Sequence, residues 1–215
     1  MLKCRLKSAA ISSAIALTAA TIAVQAGNQS PEVQAQTVET HPSRGDVQTV
    51  NGAAAHIAKT DNGLFASLDT EGLKPGNVYT LWLVVINDPD KCSQSPCSSK
   101  DVLKRSKVVS SDVGYAGGII AAKDGSGHFA AYQSTGKLSG AWFNNGLKSP
   151  TNAEVHLVVN DHGPLIANRT ADMLSTYRGG CTDVSIPKPM PGTARADGTP
   201  GPNTCRLWQH AIFKK

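Results

Sequence analysis

The amino-acid sequence predicts an all-β domain, an antiparallel β-sandwich with one short helix and two disulfides. Three observations carry this prediction. Short β-rich runs alternate with turn residues such as Asn62-Gly63, which is typical of sandwiches and barrels. The run at 78–86 is apolar on both faces, as expected of a strand covered on both sides. Finally, the chain begins with a segment typical of a signal peptide and contains several cysteines, a combination typical of secreted proteins with disulfides.

The first 26 residues have the features of a signal peptide. Lys3, Arg5 and Lys7 precede an uncharged run from Ala9 to Val24, and small residues at Val24 and Ala26 suit cleavage after Ala26. Removal of three of the 21 basic residues leaves 18 against 16 acidic ones, so the net charge falls from +5 to +2. No basic cluster marks a nucleic-acid surface. We therefore expect a periplasmic or secreted protein without a later transmembrane segment, and without nucleic acid as a partner.

Cleavage would leave four cysteines, Cys92, Cys97, Cys181 and Cys205. In an oxidising compartment four cysteines indicate two disulfides, with three connectivities open. Proximity along the chain favours Cys92–Cys97 and Cys181–Cys205. A zinc site is the alternative, but the C-x4-C spacing without a second close pair is poor for zinc.

The domain organisation follows from composition. Residues 27–46 are polar and contain few large apolar side chains, so we expect a flexible tether. Residues 47–215 then form a single domain, an immunoglobulin-like or related sandwich. The strands are expected at 56–59 and 64–70 as a hairpin, at 78–86, at 113–122 and 128–133 as a second hairpin, at 139–143, at 153–160 and at 206–213. A helix is expected at 170–177, and irregular loops at 87–107 and 187–204.

The segment EVHLVVNDHGP (154–164) supplies the strongest candidate site. Alternation along a strand places Glu154 and His156 on one face, and the turn after it could return His162 to that face. Two imidazoles and a carboxylate suit copper or zinc, with His128 or His210 as a third ligand. A neutral histidine could instead act as a general base. The structural alternative is a half-buried strand histidine followed by a turn histidine bonded to backbone.

Other chemistry has weaker support in the sequence. Trp142, beside an Asn-Asn-Gly turn, could present its ring to a carbohydrate or cell-envelope component, or could pack in the core. No nucleophile elbow, phosphate loop or dinucleotide fingerprint is found. The leading expectation is therefore a binding or interaction domain of unknown ligand rather than an enzyme.

Several blocks also resemble a set of exported bacterial β-rich proteins. These blocks are GLKPGNVYTLW (72–82), the pair Cys92 and Cys97, AEVHLVVNDHGP (153–164) and STYRGGC (175–181). The resemblance implies an exported β-rich domain and no particular reaction. His162-Gly163-Pro164 is also similar to a turn of chordin-type domains, which are secreted β folds with closely spaced histidines.

Overall fold

The structure of the protein is a computed structural model that describes residues 30–215. The predicted signal peptide, like residues 27–29 of the predicted tether, lies outside the described residues. Among the described residues no helix is long and apolar enough to cross a membrane.

Eight antiparallel strands form one sheet. They are β1 (Glu32–Thr40), β2 (Thr49–Thr60), β3 (Gly63–Thr70), β4 (Asn77–Ile86), β5 (Ser111–Ile120), β6 (Gly127–Ser134), β7 (Glu154–Pro164) and β8 (Arg206–Phe213). Their spatial order is β5-β4-β7-β8-β1-β2-β3-β6. The sheet curls until its two edge strands, β5 and β6, contact each other, which makes it nearly barrel-shaped.

The main core fills the concave face of this sheet. Alternate residues of β4 and β7, such as Leu81, Leu83 and Leu157, pack there against Leu68 of β3 and Phe129 of β6. Since strands from both edges and from the centre contribute to one cluster, the curl itself encloses the core.

A second, smaller core lies on the convex face. The other alternate residues of β4, Trp82, Val84 and Ile86, pack there under the loops that follow β4 and β7. These loops carry four short helices, α1 (Ser99–Lys104), α2 (Ser106–Val109), α3 (Thr170–Ser175) and α4 (Gly192–Ala196). Because β4 is covered on both faces, all ten of its residues are buried, as the sequence predicted.

The prediction of a flexible tether at 27–46 is wrong for most of its length. Residues Glu32–Thr37 pair with β2, and Glu39 and Thr40 pair with β8. The strand offers the core a single fully buried side chain, Val38. The mainly polar composition therefore reflects a strand that is held chiefly by backbone hydrogen bonds and is otherwise exposed.

The same strand accounts for the difference between the expected sandwich and the observed sheet. Without β1, the strand order would fall into two groups, β5-β4-β7-β8 and β2-β3-β6. β1 hydrogen-bonds to both groups, so the described strands form one sheet where the sequence led us to expect two.

Other elements match or correct the sequence reading. The β2–β3 hairpin, β7, β8 and the helix α3 lie where they were expected, but four short helices replace the single one predicted. The predicted hairpin of β5 and β6 is wrong in its pairing, because β5 pairs with β4 and β6 with β3. No strand forms at 139–143, where the chain makes bends around a single bridge between Gly136 and Leu147.

Both expected disulfides are present. Cys92 and Cys97 close the loop before α1, and Cys181 and Cys205 join the loop after α3 to the start of β8. Each disulfide therefore anchors a covering loop of the convex face, one at each side of the smaller core.

The burial of Val38 yields a test of the role of β1. We expect Val38→Ala to lower the free energy of unfolding by about 2 kcal/mol, because a fully buried side chain is truncated. Val33 lies on the same strand but is 66% exposed, so Val33→Ala should change the free energy of unfolding by less than about 0.5 kcal/mol. Urea denaturation measures both. Equal small effects would mean that β1 is not part of the cooperative fold.

Candidate functional site

A cavity of about 530 Å³ lies between the convex face of the sheet and its covering loops. Its floor is made by side chains of β4, β7 and β8. The walls come from the turn after β1, the α1 loop, the loop before β7 and the segment after α3. The lining residues are His41, Pro42, Ser43, Trp82, Val84, Gln94, Pro96, Cys97, Ser98, Ser99, Val102, Leu103, Val113, Trp142, His156, Val158, Tyr177, Met190, Leu207, His210 and Ile212.

Three aromatic rings form one wall of this cavity. The ring centroids of Trp82 lie 5.4 Å from Trp142 and 5.3 Å from Tyr177, and those of Trp142 and Tyr177 lie 4.9 Å apart. Tyr177 packs nearly perpendicular to both indoles, at 82° and 80°, and the two indoles are tilted by 39° to each other; edge-to-face packing is favourable for aromatic pairs. Burial also raises the pKa of Tyr177 far above its usual range. The wall is therefore apolar and uncharged.

One polar atom of this wall has no partner. The indole Nε1 of Trp142 is buried without a hydrogen bond, whereas Nε1 of Trp82 donates to Thr80 Oγ1 at 2.9 Å. A buried N–H without an acceptor costs about 1–3 kcal/mol. An acceptor on a bound molecule would remove that cost.

Buried carboxylates hold the covering loops in place. Asp112 accepts hydrogen bonds from the backbone N–H groups of Phe143 and Gly146, both at 2.8–2.9 Å, and so fixes the loop that carries Trp142. Asp101 caps α1. Burial raises its pKa, but hydrogen bonds from Ser98 and Ser93 outweigh burial and hold that pKa well below its usual range.

The opposite side of the cavity carries histidines. His156 lies on β7, and its Nε2 is 2.7 Å from Glu154 Oε1. Glu154 also accepts the backbone N–H of Cys97 at 2.7 Å. The sequence prediction that Glu154 and His156 share a face is thus confirmed, and the pair connects β7 to the disulfide loop.

His210 and His41 complete this side. His210 Nε2 lies 3.6 Å from Glu39 Oε2, and its Nδ1 is buried without a partner. His41 precedes a short 3-10 helix, Pro42–Arg44, and its ring packs edge-on against His210 with centroids 5.5 Å apart. Burial, together with His210, lowers the pKa of His41 to about 4. Burial, opposed by Glu39 and assisted by His156, also lowers the pKa of His210. Both rings are neutral at pH 7.

His162 does not join this group. Its Nδ1 lies 2.9 Å from Gly179 O, and its Nε2 lies 2.8 Å from Thr80 Oγ1 and 3.2 Å from Asn160 Nδ2. Because the Gly179 carbonyl can only accept, Nδ1–H donates to it, and Nε2 of the neutral ring accepts from the Thr80 hydroxyl and the Asn160 amide. Burial lowers the pKa of His162, although the bond to Gly179 partly offsets this. Both nitrogens of His162 are used in the fold.

The remaining predicted residues are placed as follows. His128 lies on β6 with its Nδ1 2.6 Å from Asp69 Oδ1, and it does not line the cavity. Trp142 lines the cavity but is only 6% exposed, so the exposed platform required by a carbohydrate contact is absent at this residue. The structure thus brings together Glu154, His156 and His210, and leaves His162 and His128 elsewhere.

Among residues 30–215, one group of three ligand atoms lies within 4.8 Å, that of His162, Cys181 and Cys205. The two sulfurs are bonded to each other, so neither is a thiolate available to a metal. His162 instead contacts the disulfide, with Nδ1 3.5 Å from Cys181 Sγ.

Sequence reasoning missed His41, Tyr177 and Met190 as cavity residues. His41 was assigned to the tether, and Tyr177 to the apolar face of a helix. A signal for His41 exists in its position directly after the strand EVQAQTVET, but only the pairing of that strand with β8 places it beside His210.

Comparisons of the chain with models of protein families, with curated proteins and with solved structures give no match.

The bonding of His162 predicts a structural role. We expect His162→Ala to lower the free energy of unfolding by about 3 kcal/mol or more, because the Gly179 carbonyl loses its donor and a cavity forms. His128→Ala, which changes an exposed histidine, should cost less than about 1 kcal/mol. Urea denaturation of both variants under oxidising conditions measures this. A small effect of His162→Ala would contradict the structural role.

Proposed function

We propose that the protein is an exported binding protein whose convex-face cavity holds a small, mainly apolar organic molecule with a hydrogen-bond acceptor. The observation that carries the proposal is the unpartnered Nε1–H of Trp142 in an otherwise apolar wall. If the indole turns this buried N–H towards the cavity, a ligand acceptor such as a carbonyl or ether oxygen would accept the hydrogen bond.

The size and lining of the cavity support a ligand of drug-like dimensions. Binding sites for small molecules are commonly about 300–1,000 Å³, largely apolar, with a few placed polar groups. This cavity of about 530 Å³ combines three aromatic rings with aliphatic side chains from β4, β7 and β8.

Export is supported by the signal-peptide pattern of the first 26 residues and by two disulfides, which persist in oxidising compartments. The disulfides also hold the loops that cover the cavity. Cys92–Cys97 constrains the loop before α1, and Cys181–Cys205 ties the loop after α3 to the start of β8. Part of the cavity wall is thereby preformed, and preorganisation lowers the entropic cost of binding.

The proposal is tested with Prodan, a neutral naphthalene with a propionyl carbonyl whose emission shifts to the blue in apolar surroundings. We expect saturable binding with a blue shift. Val158 lines the cavity, so Val158→Trp should fill it and reduce Prodan affinity by about 10-fold or more, on the scale of the apolar contact area lost. Trp142→Phe keeps an aromatic ring but removes the N–H, and should weaken binding about 2- to 10-fold.

The matched control is Phe65→Ser, which removes an aromatic side chain that is 46% exposed on β3 and does not line the cavity. It should leave Prodan binding unchanged. If Phe65→Ser weakens binding, or if Val158→Trp does not, the dye binds elsewhere and the proposal is wrong.

A further inference from the structure

Three histidines from three separate elements reach the same side of the cavity. His41 comes from the turn after β1, His156 from β7 and His210 from β8. His156 and His210 are diagonal neighbours on one face of the paired strands, since His156 is opposite Ile212 and His210 is opposite Val158, two residues further along β7. These segments are far apart in the sequence, so the pairing of β1, β7 and β8 brings the three imidazoles together.

Each of these rings has one nitrogen held by the protein. His156 Nε2 contacts Glu154 at 2.7 Å, and His210 Nε2 approaches Glu39 at 3.6 Å. His41 Nδ1 accepts the backbone N–H of Ser43 at 3.2 Å and lies 2.9 Å from Ser43 Oγ, so the neutral ring carries its proton on Nε2. In metal sites the non-ligating nitrogen of a histidine is usually held in this way by a carboxylate or another polar group, which fixes the ring and its tautomer.

The second nitrogen of each ring has no hydrogen-bond partner among the described residues. His210 Nδ1 is buried and has no partner, and no described residue hydrogen-bonds to His156 Nδ1 or His41 Nε2. In the tautomer that directs Nε2–H to the carboxylate, Nδ1 of His156 and of His210 is unprotonated and carries a lone pair. A bare lone pair that is buried without a donor is costly, and a cation would satisfy it.

We propose that His41, His156 and His210 bind one late first-row divalent cation, Zn²⁺ or Cu²⁺, with Glu154 and Glu39 as positioning residues. Neutral imidazoles suit both ions, and the affinity order of such ions favours Cu²⁺. Met190 lines the same cavity and offers a thioether for a further ligand position. This site does not depend on the proposal of an organic ligand.

Metal binding requires a local adjustment. The free nitrogens are not within 4.8 Å of one another, whereas Zn–N bonds of about 2.0–2.1 Å place tetrahedral ligands about 3.3 Å apart. His41 is the ring that can move, because the segment Pro42–Arg44 that follows it is exposed. His41 must also change tautomer, because its proton has to move from Nε2 to Nδ1. The ring then gives up the hydrogen bond from the Ser43 backbone N–H and donates instead to the Ser43 hydroxyl.

The test uses the untagged, oxidised protein stripped with EDTA and titrated with Cu²⁺, and separately with Zn²⁺, by calorimetry. We expect one ion per chain, and a Cu²⁺ EPR spectrum with hyperfine splitting from several nitrogens. The affinity for the ion should fall at least 10-fold in each of His156→Asn, His210→Asn and His41→Asn. His41→Asn should also remove the hyperfine splitting of one nitrogen from the EPR spectrum. Glu154→Gln should weaken binding about 10- to 100-fold, with all nitrogen ligands retained.

The matched controls are His128→Asn and His56→Asn, which change exposed histidines outside the cavity and should leave affinity unchanged. Circular dichroism checks that each variant is folded. Absence of stoichiometric binding would overturn the proposal, as would binding that survives His156→Asn and His210→Asn in folded protein. Prodan binding measured on the same metal-free samples reports separately on the organic-ligand proposal.

Discussion

The rest of the structure depends on the backbone hydrogen bonds of β1. This strand pairs with β2 along most of its length and then with β8 at Glu39 and Thr40. The register with β2 breaks between Thr37 and Glu39, at Val38, which is turned into the core. After the break Glu39 pairs with β2 and β8 at once, opposite Thr49 and His210. One strand thus joins the two halves of the sheet, encloses the main core and directs the chain to the convex face.

The position of the histidine group follows from this pairing. Glu39 lies opposite His210 in the β1–β8 register, which explains why the Glu39 carboxylate approaches His210 Nε2. The backbone N–H of His41 donates to Trp208 O at 3.0 Å, so the pairing continues one residue past β1 and carries the His41 ring onto His210. A segment with little apolar content of its own therefore determines the composition of the cavity wall.

The sequence predicted those features that depend on local pattern. The apolar run of β4, the Asn62-Gly63 hairpin, both disulfides and the shared face of Glu154 and His156 are encoded within short stretches. His162 and His41 were misjudged because their environments are set by residues far along the chain. His162 is bonded by Thr80 and Gly179, and His41 is placed by β8. A spacing of six residues between His156 and His162 gives no information about such partners.

The cavity has an apolar aromatic wall and a side that carries histidines. Burial lowers the pKa of His41 and of His210, because a charged imidazolium is poorly solvated in the protein interior. The rings are thereby kept neutral, the state in which imidazole binds a metal. Exclusion of water also strengthens a hydrogen bond from Trp142 to a bound acceptor. An organic molecule seated against the aromatic wall would place its polar end towards the histidines that line the same cavity. The two proposed sites therefore share one physical cause, the covering of the convex face by its loops.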